Sequence, residues 1–290
     1  MKWIFGWLFF PFFLGAVPIQ PERAPWPPFI SGDAFRAICD YIFDETDTSL
    51  NPKTVLPNSA IFVKGDYLDL FFERIHPQLP HPYVLVTHNS DSAAPGPFIP
   101  LLGDDKLIAW FAQNVDCAHP KIHPIPIGIA NRCWKHGNGS LVEEIRKKRL
   151  NRSKVLYLNF AIGTYPEERQ QAYHLLSRLP CTYFSSNQSF KKYLKEMASS
   201  KFVASPRGNG LDTHRLWESL YLGSYPIVKS STLDPLYADL PVVIIEDWHQ
   251  ITEKFLVNKY KEMEKKTFKL EKLQFGYWSQ LIESCKKGPT

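Results

Sequence analysis

The chain has 290 residues, 44% of them hydrophobic and 22% charged, with a formal net charge of +5. That is a globular composition, long enough for two modest lobes, and its small, scattered positive excess does not imply nucleic acid as a partner. The five cysteines, Cys39, Cys117, Cys133, Cys181 and Cys285, are odd in number and widely spaced, which argues against a disulfide framework.

Lys2 precedes a run of apolar residues from Trp3 to Val17. It is shorter than the roughly 20 residues that span a bilayer and fits the core of a secretory signal. Residues 1–17 therefore read as a signal peptide or a short signal anchor. They place the protein in a secretory pathway or on a membrane, with association through residues 3–17. Pro18, Pro21, Pro25, Pro27 and Pro28 make 18–30 a Pro-rich extended linker. From Ser31 helical and strand patterns alternate. Gly32–Asp44 reads as a helix with Phe35, Ile38, Cys39 and Ile42 on one face. Ala60–Val63 is a short strand, Tyr67–Ile75 a helix stopped by Pro77, and Tyr83–Thr87 a buried strand. Leu107–Ala112 and Ile125–Ile129 add two more. A polar, basic stretch over 141–151 separates this series from a second one. The second holds strands at Val155–Leu158, Cys181–Phe184, Lys201–Ser205, Tyr225–Lys229 and Val242–Ile245, with helices at Glu167–Leu179 and Phe190–Ser199. Residues from Trp248 to Lys286 are mostly helical. Strands separated by helices of this length imply parallel sheets with βαβ crossovers. Two series imply two Rossmann-like lobes, 31–135 and 150–250, facing a central cleft at the carboxyl ends of the strands, followed by C-terminal helices over 251–290. Sequons stand at Asn138, Asn151 and Asn187.

The most telling stretch is Ser205-Pro-Arg-Gly-Asn-Gly-Leu-Asp-Thr-His-Arg-Leu-Trp-Glu-Ser-Leu220, followed by Gly223-Ser-Tyr-Pro-Ile-Val228. A strand enters a turn with Gly208, Asn209 and Gly210, and the turn opens a helix. Glycines without a Cβ let backbone N–H groups approach an anion and permit positive φ. Asp212 or Thr213 is placed to cap the helix, whose free N–H groups and dipole favour phosphate. Arg207 and Arg215 bring guanidinium forks that match phosphate oxygens. Glu218, three residues after Arg215, lies on a neighbouring position of the same face and suits the paired hydroxyls of a ribose. Taken singly, each of these residues has an ordinary alternative: a tight turn for the glycines, a surface ion pair for Arg215 and Glu218. Their order after a strand favours the phosphate site.

The segment Ser205–Val228 resembles the C-terminal motif of exostosin-like glycosyltransferases, a GT-B family, through its Pro-Arg-Gly turn, Arg-x-x-Glu helix and Gly-x-x-Pro-Ile-Val strand. The likeness covers about 45 residues, ending near Asp247-Trp248, and is loose in the N-terminal half. The family's small residue before the helix is replaced here by Asp212-Thr213-His214. The resemblance implies a GT-B-like fold and a nucleoside diphosphate sugar donor, with Arg207, Gly208, Asn209, Gly210 and Arg215 at the diphosphate and Glu218 at ribose or sugar hydroxyls. Pro124–Gly128 resembles the strand and turn that leave the first lobe in GT-B enzymes, which puts Gly128 near the donor.

Inverting transfer needs a base for the acceptor hydroxyl, and polar residues at a strand's carboxyl end are placed for that work. His88 and Asp91, after the strand Tyr83–Thr87, are the candidates; a polar turn capped by Asn89 and Asp91 is the alternative. Gln113 and Asn114 end the next strand and are candidate contacts to the acceptor, or else satisfy loop backbone. Cys117, His119 and His123 lack a fourth ligand, and Pro120 and Pro124 break the helix that would align them, so zinc is not expected. No Asp-x-Asp triplet occurs; transferases that hold their diphosphate through a divalent ion use one, so metal independence is expected. No cofactor is implied beyond the donor. The expected activity is transfer of a sugar to a hydroxyl of a glycan, lipid or protein acceptor. A non-catalytic glycan- or nucleotide-binding protein of the same fold and a secreted hydrolase are the alternatives.

Overall fold

The computed structural model describes residues 23–185 and 188–287; the apolar segment 1–17 and the Asn187 sequon lie outside them. Two five-stranded parallel sheets, each accompanied by helices, make an α/β architecture. The first sheet takes its strands in chain order: β1 (Tyr41–Phe43), β2 (Ala60–Lys64), β3 (Tyr83–His88), β4 (Leu107–Ala112) and β5 (Ile122–Pro124). Helices α1 (Gly32–Ile38) and α2 (Leu68–Arg74) belong to this half. Helix α3 (Gly139–Lys147) leads to the second series: β6 (Lys154–Leu158), α4 (Pro166–Leu176), β7 (Thr182–Phe184), α5 (Phe190–Ala198), β8 (Ser200–Ala204), α6 (His214–Tyr221), β9 (Tyr225–Lys229), α7 (Asp234–Tyr237) and β10 (Val243–Ile245). The second sheet is ordered β10-β9-β8-β6-β7. Helices α8 (Glu253–Met263) and α9 (Phe275–Lys286) close the chain.

The strand sequences explain why both sheets are buried. β3 is buried along its whole length and all but one residue of β4 is, as expected of parallel strands covered on both faces. In the second sheet the two-residue period divides the side chains. Leu156, Leu158, Phe202, Ala204 and Ile227 face one apolar core, while Tyr157, Val203 and Val228 face another. That second core is continuous with the core of the first sheet. The last helix returns to the first half. Phe275 meets Phe35 edge-on at 5.3 Å, and Lys286 pairs with Asp40 at 2.8 Å.

Three local expectations change. The helix expected over 32–44 ends at Ile38, because Cys39 turns extended (φ −80°, ψ 144°). Tyr41-Ile-Phe43 then pairs with β2 as an edge strand, a conformation that suits its β-branched and aromatic run. The strand expected at 125–129 lies instead at 122–124. Pro124 and Pro126 have no N–H to give a ladder. The amides of Ile127 and Ile129 go to Asp212 and to the Ile30 carbonyl. The polar stretch 141–151 holds most of α3, capped by Asn138, whose side chain accepts from the Leu141 amide at 2.9 Å. The described part of the Pro-rich linker is packed rather than free. Arg132 stacks on Trp26 at 3.7 Å, and the Tyr221 hydroxyl accepts from the Ile30 amide at 3.0 Å. Among the described residues no helix is long and apolar enough to cross a membrane.

Candidate functional site

In the second sheet β6 and β8 are neighbours, and the chain runs from them to opposite sides, toward β7 and toward β9. At such a switch point the loops after the two strands diverge and leave a crevice at the carboxyl ends. A cavity of about 980 Å³ opens there, walled by Ala161, Thr164 and Arg169 after β6 and by the Gly208–Gly210 turn and start of α6 after β8. His88, at the end of β3, and Asp91 and Gln113, in the loops after β3 and β4, form part of the wall contributed by the first half.

The Gly turn is tight, with the Gly208 amide donating to the Gly210 carbonyl at 3.1 Å. Its glycines serve close approach rather than unusual dihedrals, since neither is among the positive-φ glycines. A Cβ on Gly210 would lie 2.6 Å from Asn114 Nδ2, and one on Gly208 would lie 3.1 Å from Arg169 Nη2. Neither expected cap performs that task through its side chain. Thr213 is the N-cap residue without a capping bond, and its buried hydroxyl has no partner. Asp212 is instead a buried junction. It accepts from the Ile127 amide (2.8 Å), Trp217 Nε1 (2.7 Å), the Thr213 amide (2.9 Å) and the Tyr237 hydroxyl (3.1 Å). The bond from Ile127 fastens the start of α6 to the first half, and those from Trp217 and Tyr237 tie Asp212 to α6 and α7.

Two guanidiniums line the cavity. Arg215 donates from Nε to the Asn159 carbonyl at 2.9 Å, which leaves its outer nitrogens for a ligand. Arg169 donates to the carbonyls of Arg207 (2.7 Å), Ala161 (2.7 Å) and Pro206 (3.4 Å). Three of its five N–H groups are thus spent on backbone. Burial first, and the positive charge of Arg215 second, lower its pKa to about 10. Two cations hydrogen-bonded to neutral carbonyls in one partly dry cavity favour an anion between them. Arg207, by contrast, lies outside this cavity. It stacks on Tyr165 at 4.3 Å, donates to the Asn209 carbonyl at 3.0 Å, and lines a smaller cavity of about 210 Å³ with Glu168 and Lys229.

Glu218 also faces the main cavity and is 3% exposed. It forms no ion pair with Arg215; its Oε2 accepts from the Tyr193 hydroxyl at 2.9 Å. Burial raises its carboxyl to about 7, against the pull of Tyr193 and of Arg215. An aromatic wall stands beside it. Phe190 and Tyr193 stack at 5.9 Å, and His136 stacks on the exposed ring of Trp134 at 6.5 Å.

The remaining candidates separate into open and occupied groups. His88 lines the cavity, yet both ring nitrogens are used by the fold. Nδ1 accepts from the Asn89 amide at 2.7 Å and Nε2 donates to the Pro126 carbonyl at 3.0 Å. Burial lowers its pKa to about 4. The ring therefore lacks a free lone pair for a substrate proton. Asp91 is exposed on the rim and takes one bond, from Asn209 Nδ2 at 3.1 Å. Gln113 lines the cavity with Oε1 buried and unpartnered. Asn114, next to it, is turned away and clamps the Gly turn, accepting from the Asp212 amide at 2.9 Å. Gly128 is not a wall residue. Its φ is +67°, and a Cβ there would sit 2.1 Å from the Ile30 carbonyl oxygen. Its carbonyl accepts from His214 Nδ1 at 2.8 Å. Among the described residues no group of three or more His, Cys, Asp or Glu is placed to hold a metal ion.

Arg169, His214 and the Trp134–His136 wall are not found from the sequence. The Asp212-Thr213-His214 departure inside the motif is the one available signal for His214. No protein-family model matches this chain, and no curated protein matches it.

Proposed function

We propose that the protein is a GT-B-like glycosyltransferase that moves a sugar from a nucleoside diphosphate donor to a hydroxyl, with inversion and without a metal. The observation that carries this is the pair Arg169 and Arg215 beside the Gly208–Gly210 turn at the switch point of the second sheet. In this proposal the halves bearing the two sheets are the lobes, and the cavity is the cleft between them. The guanidiniums and the first turn of α6 stabilise the diphosphate as negative charge grows on it, the kind of preorganised electrostatic effect that often dominates catalysis. Glu218, with one oxygen fixed by Tyr193, holds hydroxyls of the donor. Asp91 takes the acceptor proton, since its carboxylate is open to the cavity while His88 is internally bonded. Gln113 orients the acceptor. The resemblance of Ser205–Val228 to the exostosin-like motif supports the same assignment.

The direct test is chromatography of reactions containing UDP- and GDP-sugars with a pool of glycan and glycolipid acceptors. Release of the free nucleotide from one donor, dependent on acceptor, is the expected result. Liberation of sugar from a glycan with no nucleotide present would mark a hydrolase and overturn the proposal.

A further inference from the structure

His214 is the first residue of α6, immediately before Arg215, and it lines the same cavity as both arginines. Its Nδ1 lies 2.8 Å from the Gly128 carbonyl. A carbonyl oxygen only accepts, so Nδ1 carries the proton. In the neutral ring Nε2 is then a bare lone pair, and it has no hydrogen-bond partner among the described residues. A phosphate oxygen is also an acceptor. The two cannot meet unless Nε2 gains a proton.

We propose that His214 is a proton-coupled ligand for the anion held by Arg169 and Arg215, becoming imidazolium when a diphosphate enters and returning that proton to the leaving phosphate. The inference rests on the transferase proposal above. During transfer the acceptor oxygen bonds to the anomeric carbon, and the bond from that carbon to the phosphate oxygen breaks with its electron pair on oxygen. The acceptor's proton passes to Asp91, and the Nε2 proton passes to the departing phosphate. His214 ends neutral and Asp91 protonated, and solvent resets both.

The surroundings keep the ring neutral before an anion arrives. Burial lowers it to about 4, opposed by the Gly128 carbonyl; His136 lowers it further and Asp91 raises it. The other charged or titratable groups lining the cavity with it are Lys64 at the end of β2, Asp66 after it, His88 at the end of β3, Arg169 on α4, Tyr193 on α5, Asp212 just before α6, and Arg215 and Glu218 on α6. An opposite charge at hydrogen-bonding range raises such a pKa by about 1–3 units, to about 5–7 once phosphate is bound. Gly128 acquires a role by the same geometry. Its positive φ and its contact with Ile30 aim the carbonyl that fixes the tautomer.

The test measures inorganic pyrophosphate affinity from pH 5.5 to 8.5 for the full chain and for His214→Gln. The titration of pyrophosphate itself cancels in the ratio of the two dissociation constants. We expect the variant to bind up to about tenfold weaker at pH 6, and the ratio to fall as pH rises toward the coupled pKa and to level off above it. A ratio that does not change with pH overturns the proposal. A second readout needs no variant: the ¹⁵N signal of His214 Nε2 at pH 5.5 should move from the unprotonated toward the protonated form on adding pyrophosphate. An unchanged ring beside bound pyrophosphate refutes the inference and leaves the anion site standing. Absence of pyrophosphate binding removes both.

Discussion

Glu218→Gln isolates the cost of holding a carboxyl in the dry wall of the cavity. Glu218 is 3% exposed and its pKa rises from the ordinary 4.5 to about 7, chiefly through burial. A shift of about 2.5 units at 1.36 kcal/mol each is about 3 kcal/mol. The sign follows from linkage. A folded pKa above the unfolded one means that the protonated form is favoured by folding. The contribution is complete below pH ~4.5, declines as pH rises, and is lost above ~7. Glutamine keeps an oxygen for the Tyr193 hydroxyl and cannot ionise. The wild type should therefore lose about 3 kcal/mol relative to the variant between pH 4.5 and 8, at up to about 1.4 kcal/mol per pH unit. For a chain of this size that is on the order of 6 °C in relative melting temperature. Thermal melts of both proteins across that range measure it. Curves that stay parallel with pH would refute the burial argument.

Asp91→Asn should keep donor affinity and lower kcat by about 10²–10⁴, the usual contribution of a general base; steady-state kinetics with binding measured separately check it. Asp212→Ala strands the Ile127 and Thr213 amides, Trp217 Nε1 and the Tyr237 hydroxyl. It should cost about 3–5 kcal/mol in chemical unfolding. Arg207→Ala should leave nucleotide affinity within about twofold, because its guanidinium is folded over its own turn outside the main cavity; a loss of 1.4 kcal/mol, or about tenfold, in a titration would return Arg207 to the phosphate site.

The second half of the fold was legible because its signals are local. Ser205–Val228 carries a strand, a Gly turn, a helix and a strand in immediate succession, and each forms where the residues indicate. Arg215 and Glu218, placed on one face by their spacing, do reach one cavity. What escaped depends on partners distant in sequence. Arg169 sits in Pro166-Glu-Glu-Arg-Gln-Gln, which reads as an ordinary solvated helix; only the carbonyls of Ala161, Pro206 and Arg207 aim it inward. His88 is correctly placed at a strand's carboxyl end, but the Pro126 carbonyl that occupies its Nε2 lies 38 residues on. Gln113 and Asn114 are adjacent and looked equivalent. Only the first lines the cavity, and the second, with φ +56°, is turned to the Gly turn. The misplaced strand at 125–129 has the same origin, since the prolines withhold N–H groups and the amides of Ile127 and Ile129 are taken by groups from elsewhere in the chain.

In the proposed function Arg169 and Arg215 together hold a diphosphate. Thermal unfolding of the full chain with UDP, GDP and the matching nucleosides, repeated for Arg169→Ala and Arg215→Ala, tests it most directly. A ligand at about 100 times its dissociation constant stabilises the native state by about 2.7 kcal/mol. That stabilisation is expected in the wild type for one nucleoside diphosphate, with none for its nucleoside, and it should be lost in both variants. An equal shift in wild type and variants, or no shift with any diphosphate in a folded sample, would contradict it.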